Sequence, residues 1–247
     1  MEEELLRRAE DLARRAQRSG SVTHTGFLTP AQVHALGRWH GAEGPVLFHG
    51  GWESAERQAA FFLPDWMDPA DFDPADHLCA LELTARFGAP GHRDVLGAAL
   101  ALGIEREWLG DILVEGETAW LFCLPSVKEH LLRSLDRVGR WGVKTREAAL
   151  SEVPVPKREV RVERFSVKSP RLDAICAGMF RLSRTAAAEA VAQGLVALNY
   201  EECLKPDAPV HTGDVVSLRG RGKGRVTDAG SDRSRKGRLF VEAEIFK

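Results

Sequence analysis

Cysteine is scarce in this 247-residue chain, and the four that occur are widely spaced. Cys79, Cys123, Cys176 and Cys203 form no Cys-x-x-Cys pair, which excludes the usual spacing of a structural zinc site or a redox dithiol. Free cysteine is among the most buried residue types. We therefore expect reduced thiols that are mostly buried.

Long apolar runs and a basic leader are also missing. The chain begins with Met1-Glu2-Glu3-Glu4, which is acidic where a signal peptide is basic. No stretch approaches the roughly 18 apolar residues that a membrane-spanning helix needs. These absences predict a cytoplasmic protein without a membrane span.

Recognisable catalytic motifs are missing as well. No segment has a nucleophile elbow, a dinucleotide-binding glycine fingerprint or a metal-spaced pair of histidines. His92-Arg93-Asp94 matches the start of a kinase catalytic loop, but Ala99 stands where that loop needs Asn for magnesium. The sequence therefore predicts a non-enzymatic protein with no cofactor and no metal ion.

An excess of basic over acidic residues is usual in proteins that bind nucleic acid. The chain as a whole lacks such an excess, since its net charge is -2. The average hides an asymmetry: residues 1–156 carry 16 basic and 24 acidic side chains, a net -8, whereas residues 157–247 carry 18 and 12, a net +6. Between residues 217 and 238 lie eight basic side chains against Asp228 and Asp232. The eight are Arg219, Arg221, Lys223, Arg225, Arg233, Arg235, Lys236 and Arg238. This distribution predicts a polyanionic partner for the C-terminal part.

Hydrophobic periodicity divides the chain into three small modules of an α+β protein. Residues 1–74 predict a mixed α/β module with helices near residues 5–19 and 30–39 and short strands at 46–48 and 59–63. Residues 75–152 predict the order βαββαβ, which is that of a ferredoxin-like or RRM-like sandwich. Trp120 and Phe122 alternate on one predicted strand; they could stack bases as in RRMs, but we favour a core position.

The C-terminal part follows a proline-containing linker. Val153-Pro154-Val155-Pro156 begins a segment of linker and strand, residues 153–168, because alternating prolines keep the chain extended. Residues 169–247 then predict two helices at about 172–178 and 183–193. A final strand pair at 215–219 and 238–245 brackets a Gly- and Arg-rich hairpin or loop.

Three short motifs in this last module have clear physical roles. Ser183 can cap the second helix, whose first amides, with Arg184 beside them, would suit a phosphate. Gly194 can provide the left-handed residue that ends the helix. Gly213-Asp214 predicts a tight turn before the next strand.

Together with Arg171-Leu172-Asp173, Gln193-Gly194-Leu195-Val196 and Asn199, these motifs resemble the S4 domain, a small RNA-binding module, over about 50 residues. In that family a basic residue is common where Ala186 stands, and Gly is usual where Tyr200 stands. The resemblance and the charge imply RNA contacts by Arg171, Arg181, Ser183, Arg184, Thr185, Gln193, Asn199, Arg219, Arg221, Lys223 and Arg225. His92 and Arg93 are candidates for a secondary RNA contact.

The resemblance extends to the rest of the chain. Residues 92–100 with 103–106 and 110–114 are similar to the middle domain of YlmH-type proteins, and Phe48-His49-Gly50-Gly51 with Ala55-Glu56-Arg57 resembles their N-terminal module. The resemblance implies a monomeric, ribosome-associated RNA-binding protein. It would act on the large subunit with peptidyl-tRNA, in quality control or rescue of stalled translation, with ribosomal RNA as partner and tRNA as a second candidate.

Two other functions remain open. S4-like modules commonly occur beside catalytic domains, so an RNA-modifying enzyme that uses such a module for substrate delivery is the alternative. Pseudouridine synthases use an Arg-Leu-Asp motif that Gly usually precedes, whereas Pro170 precedes it here. We therefore expect Asp173 to be a local cap or a partner of Arg171. In the second function, the protein is a protein–protein adaptor whose acidic N-terminal part binds a basic ribosomal protein, a role that is compatible with RNA binding by the C-terminal part.

Overall fold

The computed structural model of the chain describes residues 2–42, 44–155, 160–232 and 237–246. Contacts divide the chain into two units, Met1–Pro156 and Lys157–Lys247. The division falls within the segment predicted as linker and strand, although Pro156 itself lies outside the described residues. The finer module boundaries at residues 74, 152 and 168 remain predictions.

The first unit opens with two helices and a small sheet. Its elements are α1 (Glu2–Ser19), β1 (Thr23–His24), α2 (Pro30–Gly37), β2 (Val46–His49) and β3 (Ala59–Phe62). The strands form an antiparallel sheet in the order β1-β3-β2. An apolar stripe of Leu and Ala on α1 shares a buried cluster with Leu36 and Phe62, because burial removes that stripe from water.

The βαββαβ order predicted for the middle of the chain is confirmed, with one additional two-residue strand before the last strand. Its elements are β4 (Cys79–Ala85), α3 (His92–Ala101), β5 (Leu109–Glu115), β6 (Thr118–Cys123), α4 (Pro125–Ser134), β7 (Arg137–Val138) and β8 (Trp141–Ala148). All paired strands are antiparallel, in the order β5-β6-β4-β8-β7. On one face of the sheet, Leu81 and Leu83 are buried with Val95 of α3 and Leu131 of α4. This part of the chain is thus an RRM-like sandwich.

The opposite face of this sheet is partly covered by the N-terminal elements. Trp120 and Phe122 are 8% and 0% exposed and share a buried cluster with Phe27 and Phe61. The core position favoured for the two rings is therefore confirmed. Bases cannot stack on them in this structure, because other parts of the same unit already occupy their faces.

The second unit is built around a six-stranded sheet. Its elements are β9 (Val160–Val167), α5 (Leu172–Phe180), α6 (Arg184–Ala192), β10 (Val196–Leu198), β11 (Glu201–Glu202), β12 (Val215–Leu218), β13 (Gly222–Asp228) and β14 (Leu239–Phe246). The strand order is β11-β10-β12-β13-β14-β9. Side chains of α5, including Ile175 and Met179, are buried with Val216 and Val241 of the sheet. The predicted α+β fold class is confirmed.

The Gly- and Arg-rich segment differs from its prediction, because much of it is a strand. β13 pairs with β12 on one side and with β14 on the other. Gly224 and Val226 are buried while Arg225 is exposed, and this period of two is that of a half-buried strand. A Cβ at Gly224 would lie 2.5 Å from the Glu244 carbonyl oxygen, so the glycine permits a close approach. Arg233, Arg235 and Lys236, also predicted to belong to the basic loop, lie outside the described residues.

Within the described ranges, no helix is both long and apolar enough to cross a membrane. Over the same residues, no group of three or more His, Cys, Asp or Glu side chains is arranged to hold a metal ion.

Candidate nucleic-acid interface

The start of α6 is arranged as the motif predicts. Ser183 has an extended backbone, and its Oγ accepts a hydrogen bond from the Ala186 amide at 3.1 Å. Ser183 is therefore the N-cap. Arg184 and Thr185 follow in the first turn, and both are exposed. The helix start presents amides beside a guanidinium, a combination that attracts an anion.

The guanidinium of Arg184 is held by a buried carboxylate. Its Nη2 donates to Asp173 Oδ2 at 2.7 Å, and Arg171 Nε donates to the other carboxylate oxygen at 3.4 Å. Asp173 is only 5% exposed. The expected pairing of Asp173 with Arg171 is confirmed, whereas its contact with Arg184 was not foreseen. Two arginines thus share one buried carboxylate.

Arg181 lies apart from this group. It ends α5 in a left-handed conformation, with φ 54°, and its Nη2 donates to Glu163 Oε1 on β9 at 2.7 Å. Arg161 donates to the same oxygen at 2.8 Å. The structure thus places Arg181 in an ion-pair network with Glu163 and Arg161 of the edge strand.

Both polar atoms of the Asn199 side chain form hydrogen bonds within the fold. Its Nδ2 donates to Asp214 Oδ1 at 2.8 Å, and its Oδ1 accepts from the Val215 amide at 2.9 Å. Asn199 and Tyr200 form the two-residue turn between β10 and β11, both with positive φ. Gln193 caps the end of α6 and is exposed, and Gly194, with φ 70°, ends the helix as predicted.

The basic hairpin forms a second cationic group. Arg219 and Arg221 flank Gly220 in the turn between β12 and β13, and both are exposed. The Arg219 amide donates to the Leu195 carbonyl at 2.9 Å, so this turn lies near the C-terminal end of α6. Lys223 and Arg225 continue along β13.

The candidate residues therefore fall into two main groups at opposite ends of α6. One contains Arg171, Ser183, Arg184 and Thr185; the other contains Gln193, Arg219 and Arg221. The nine residues of α6 span about 13 Å at the usual helical rise. An elongated partner with repeated negative charges could contact both groups at once.

The secondary candidates lie in the first unit. His92 and Arg93 are exposed at the start of α3. The Asp94 side chain accepts a hydrogen bond from the Gly91 amide at 3.1 Å, and its negative charge lies near the positive end of the helix dipole.

The segment around Arg57 has a structural role. Asp111 accepts hydrogen bonds from the amides of Glu56 and Arg57 at 2.7 and 3.1 Å, and Arg57 Nη2 donates to the Phe27 carbonyl at 2.6 Å. Burial lowers the pKa of Arg57, while the Asp111 charge opposes this effect. These contacts join the N-terminal elements to β5.

Sequence reasoning missed a second group of cations and rings in the first unit. Arg86-Phe87 follows β4, and Arg140-Trp141 stands at the start of β8. The sequence does contain two basic-aromatic dipeptides, which could have suggested a binding site. That they lie close together follows only from the pairing of β4 with β8, which local sequence patterns do not reveal.

The fold and the helix-start geometry define an α+β protein with a C-terminal S4 domain. The family model described as "S4 domain" matches residues 170–216, and the one described as "Putative RNA-binding domain in YlmH" matches residues 69–152. The chain is 30% identical over 222 residues to "Ribosome-associated protein quality control protein P2" of Bacillus subtilis (strain 168), covering 89% of this chain and 86% of the relative. The chain belongs to the family of YlmH-type S4-domain proteins, which confirms the resemblance.

A solved structure, "Cell division protein ylmH from Streptococcus pneumoniae", is 23% identical to this chain. It aligns with a TM-score of 0.46 and covers 61% of this chain and 92% of its own.

Proposed function

We propose that this protein is a non-enzymatic RNA-binding protein that binds ribosomal RNA through its S4 domain. In this proposal it acts in the cytoplasm as a monomer on the large ribosomal subunit carrying peptidyl-tRNA, in quality control or rescue of stalled translation. The name of the Bacillus subtilis relative supports the link to ribosome-associated quality control. The observation that carries RNA binding is the pair of cationic groups at the two ends of α6.

The two groups would hold one RNA backbone at two points. The amides of the first turn of α6 and the Arg184 guanidinium take one phosphate, because helix dipole and charge act together there. Arg219 and Arg221 take phosphates near the other end of the helix. Two anchors about 13 Å apart, the length of α6, favour a structured RNA whose phosphates have fixed spacing.

The Asp173 carboxylate prepares Arg184 for this role. A guanidinium already held at 2.7 Å by a buried acceptor loses less conformational freedom when a phosphate arrives, and preorganisation of this kind favours binding. Arginine has five donors in a planar fork, so the donors that do not face Asp173 can contact the phosphate.

Gel-shift titrations with large-subunit ribosomal RNA test the assigned surface. The triple variant Arg184→Ala, Arg219→Ala and Arg221→Ala should bind more weakly. If five cations meet phosphates in the native protein, the log-log salt slope is about -3.5 to -4.5, and it should become shallower by about 2 to 3 when three are removed.

The matched control removes three charges from the edge strand and its end. Arg161→Ala, Arg164→Ala and Lys168→Ala alter exposed cations on or next to β9 and should leave the salt slope within about one of the native value. An equal loss of RNA affinity in the two triple variants would mean that binding depends only on net charge, and it would reject the proposed S4 surface. Undiminished binding by the first variant would reject it as well.

Cosedimentation tests the ribosomal part of the proposal. The protein should sediment with large subunits carrying peptidyl-tRNA more completely than with empty large subunits. Crosslinked RNA should map to the large subunit, whereas crosslinks confined to the small subunit would contradict the proposal.

A further inference from the structure

A basic groove lies on the part of the RRM-like sheet that the N-terminal elements leave open. It has a volume of about 830 Å³, and its lining includes Arg86, Phe87, Arg140, Trp141, Lys144 and Arg146. The groove is lined entirely by residues of the first unit, whereas the S4 surface consists of residues of the second.

Strand pairing creates this groove. Thr84 lies opposite Lys144, and Glu82 lies opposite Arg146, in the antiparallel pair of β4 and β8. Directly opposed residues share a face, so both cations project from the face that carries Ala80 and Ala148. Those two alanines are buried under the N-terminal elements, whereas Lys144 and Arg146 are exposed.

The charge of the groove is opposite to that of its surroundings. Four cations and one carboxylate, Glu82, line it, for a net +3, although residues 1–156 carry a net -8. Arg146 is paired with Glu82, at 2.6 and 2.9 Å. Among the described residues, no carboxylate lies within ion-pair distance of Arg86, Arg140 or Lys144. A local positive field within an acidic unit favours an anionic ligand.

Aromatic rings accompany these cations. Phe87 is 72% exposed, and the Arg140 guanidinium lies 4.4 Å from the centroid of the Trp141 ring. A Cβ at Gly88, where φ is +85°, would lie 2.5 Å from that ring, so glycine allows the chain after β4 to lie against Trp141. The groove therefore contains one exposed ring, that of Phe87, together with the Arg140 guanidinium stacked on the Trp141 indole.

We propose that this groove binds unpaired RNA, with a base on Phe87, a second base on the Arg140–Trp141 stack, and phosphates on Arg86 and Lys144. Cations beside exposed rings are the usual means of binding single strands. A duplex keeps its bases stacked internally and gains nothing from an open Phe. The rings differ from the usual RRM positions, because Trp120 and Phe122 are buried.

The binding test uses the full chain with Arg184→Ala, Arg219→Ala and Arg221→Ala as background, which separates this groove from the proposed S4 surface. The probe is a fluorescently labelled 12-nucleotide oligouridylate, followed by anisotropy. Phe87→Ala should weaken binding by about 5- to 140-fold, because stacking contributes about 1–3 kcal/mol per base and 1.4 kcal/mol corresponds to tenfold. Phe87→Tyr, which keeps a ring, should bind as the background does.

The matched control is Trp66→Ala, which removes a ring that is 74% exposed in the same unit and should leave the affinity unchanged. The double variant Arg86→Gln and Lys144→Gln should make the salt slope shallower by about 1.4, as expected for two phosphates of a single strand. The affinity for a 12-base-pair RNA duplex should be the same with and without Phe87→Ala.

Three results would overturn the inference: no binding of the oligouridylate to the background protein, unchanged binding by Phe87→Ala, or an equal loss in Trp66→Ala. If the groove binds a protein segment and not RNA, Phe87→Ala should leave oligouridylate binding unchanged. None of these results depends on whether the S4 surface binds ribosomal RNA in the native protein, so the two proposals can fail separately.

Discussion

Asp173 and Arg184 join the starts of two helices through an ion pair of 2.7 Å in which one partner is buried and the other exposed. The Asp173 side chain is 7% exposed, against 54% for Arg184. Burying a carboxylate is unfavourable unless its oxygens are satisfied, and Arg171 provides the second partner. The same contact therefore stabilises the α5–α6 pair and orients a cation at the candidate RNA surface.

Asp173→Asn should lower the free energy of unfolding of the second unit by about 1–3 kcal/mol, because charge-assisted hydrogen bonds to a buried group are lost. Urea denaturation can separate the two units. All six tryptophans precede residue 157, and the single tyrosine, Tyr200, lies after it. The Tyr200 signal should shift to lower urea while the tryptophan signal stays unchanged. Asp207→Asn, at an exposed carboxylate, is the matched control, and equal shifts in both variants would contradict the assigned role.

Tyr200→Gly should stabilise the second unit by about 0.5–1 kcal/mol, because the relief of a left-handed conformation exceeds the cost of the greater freedom of glycine in the unfolded chain. Tyr200 has φ 70° in the turn between β10 and β11, a conformation that disfavours residues with a Cβ and suits glycine at this type of turn. Circular dichroism during thermal unfolding measures the change. Tyr200→Ala keeps the Cβ and should give no gain, so similar melting temperatures for the Gly and Ala variants would refute strain at this position.

Local patterns in the sequence predicted most of the fold. The βαββαβ order and the Ser183 cap depend on residues close together in the chain, and both are observed. β13 was missed because its glycines are typical of loops, although its pairing on both sides makes it a strand. The Asp173–Arg184 contact joins two helices, and the groove near Lys144 depends on the register of β4 with β8. Such features require tertiary packing, which local periodicity does not encode.

The native protein should have one rapidly reacting thiol. Cys79, Cys123 and Cys176 are buried, whereas Cys203 is half-buried. Burial raises the pKa of Cys79 and Cys123, and burial with the nearby Asp173 charge raises that of Cys176 to about 11. The thiolate is the reactive form, so a thiol reagent at pH 8 should modify Cys203 first.

Counting modified thiols against time tests this reactivity. One equivalent should react rapidly in buffer, and all four should react in denaturant. Cys203→Ser should abolish the rapid phase. Two or more rapid equivalents in the native protein, or a rapid phase that survives Cys203→Ser, would contradict the burial of the other three.

Acidification should destabilise the first unit through His49. Its Nδ1 accepts a hydrogen bond from the Gly51 amide at 2.9 Å, which requires that nitrogen to be unprotonated. Burial lowers the pKa of His49 below its usual value near 6.5, although the Asp73 charge opposes this effect. Between the folded pKa and 6.5, the unfolded chain binds more protons than the folded one. Lowering the pH through this window therefore favours unfolding.

His49→Asn tests this linkage, because the Asn oxygen can accept the same hydrogen bond but does not titrate in this range. Melting followed by tryptophan fluorescence reports the first unit, since all six tryptophans lie there. Between pH 7.5 and 5.0, the melting temperature of the native protein should fall further than that of His49→Asn. His77, whose pKa burial also lowers, is present in both proteins, so its contribution cancels in the comparison. Identical falls would mean that protonation of His49 does not contribute to acid unfolding.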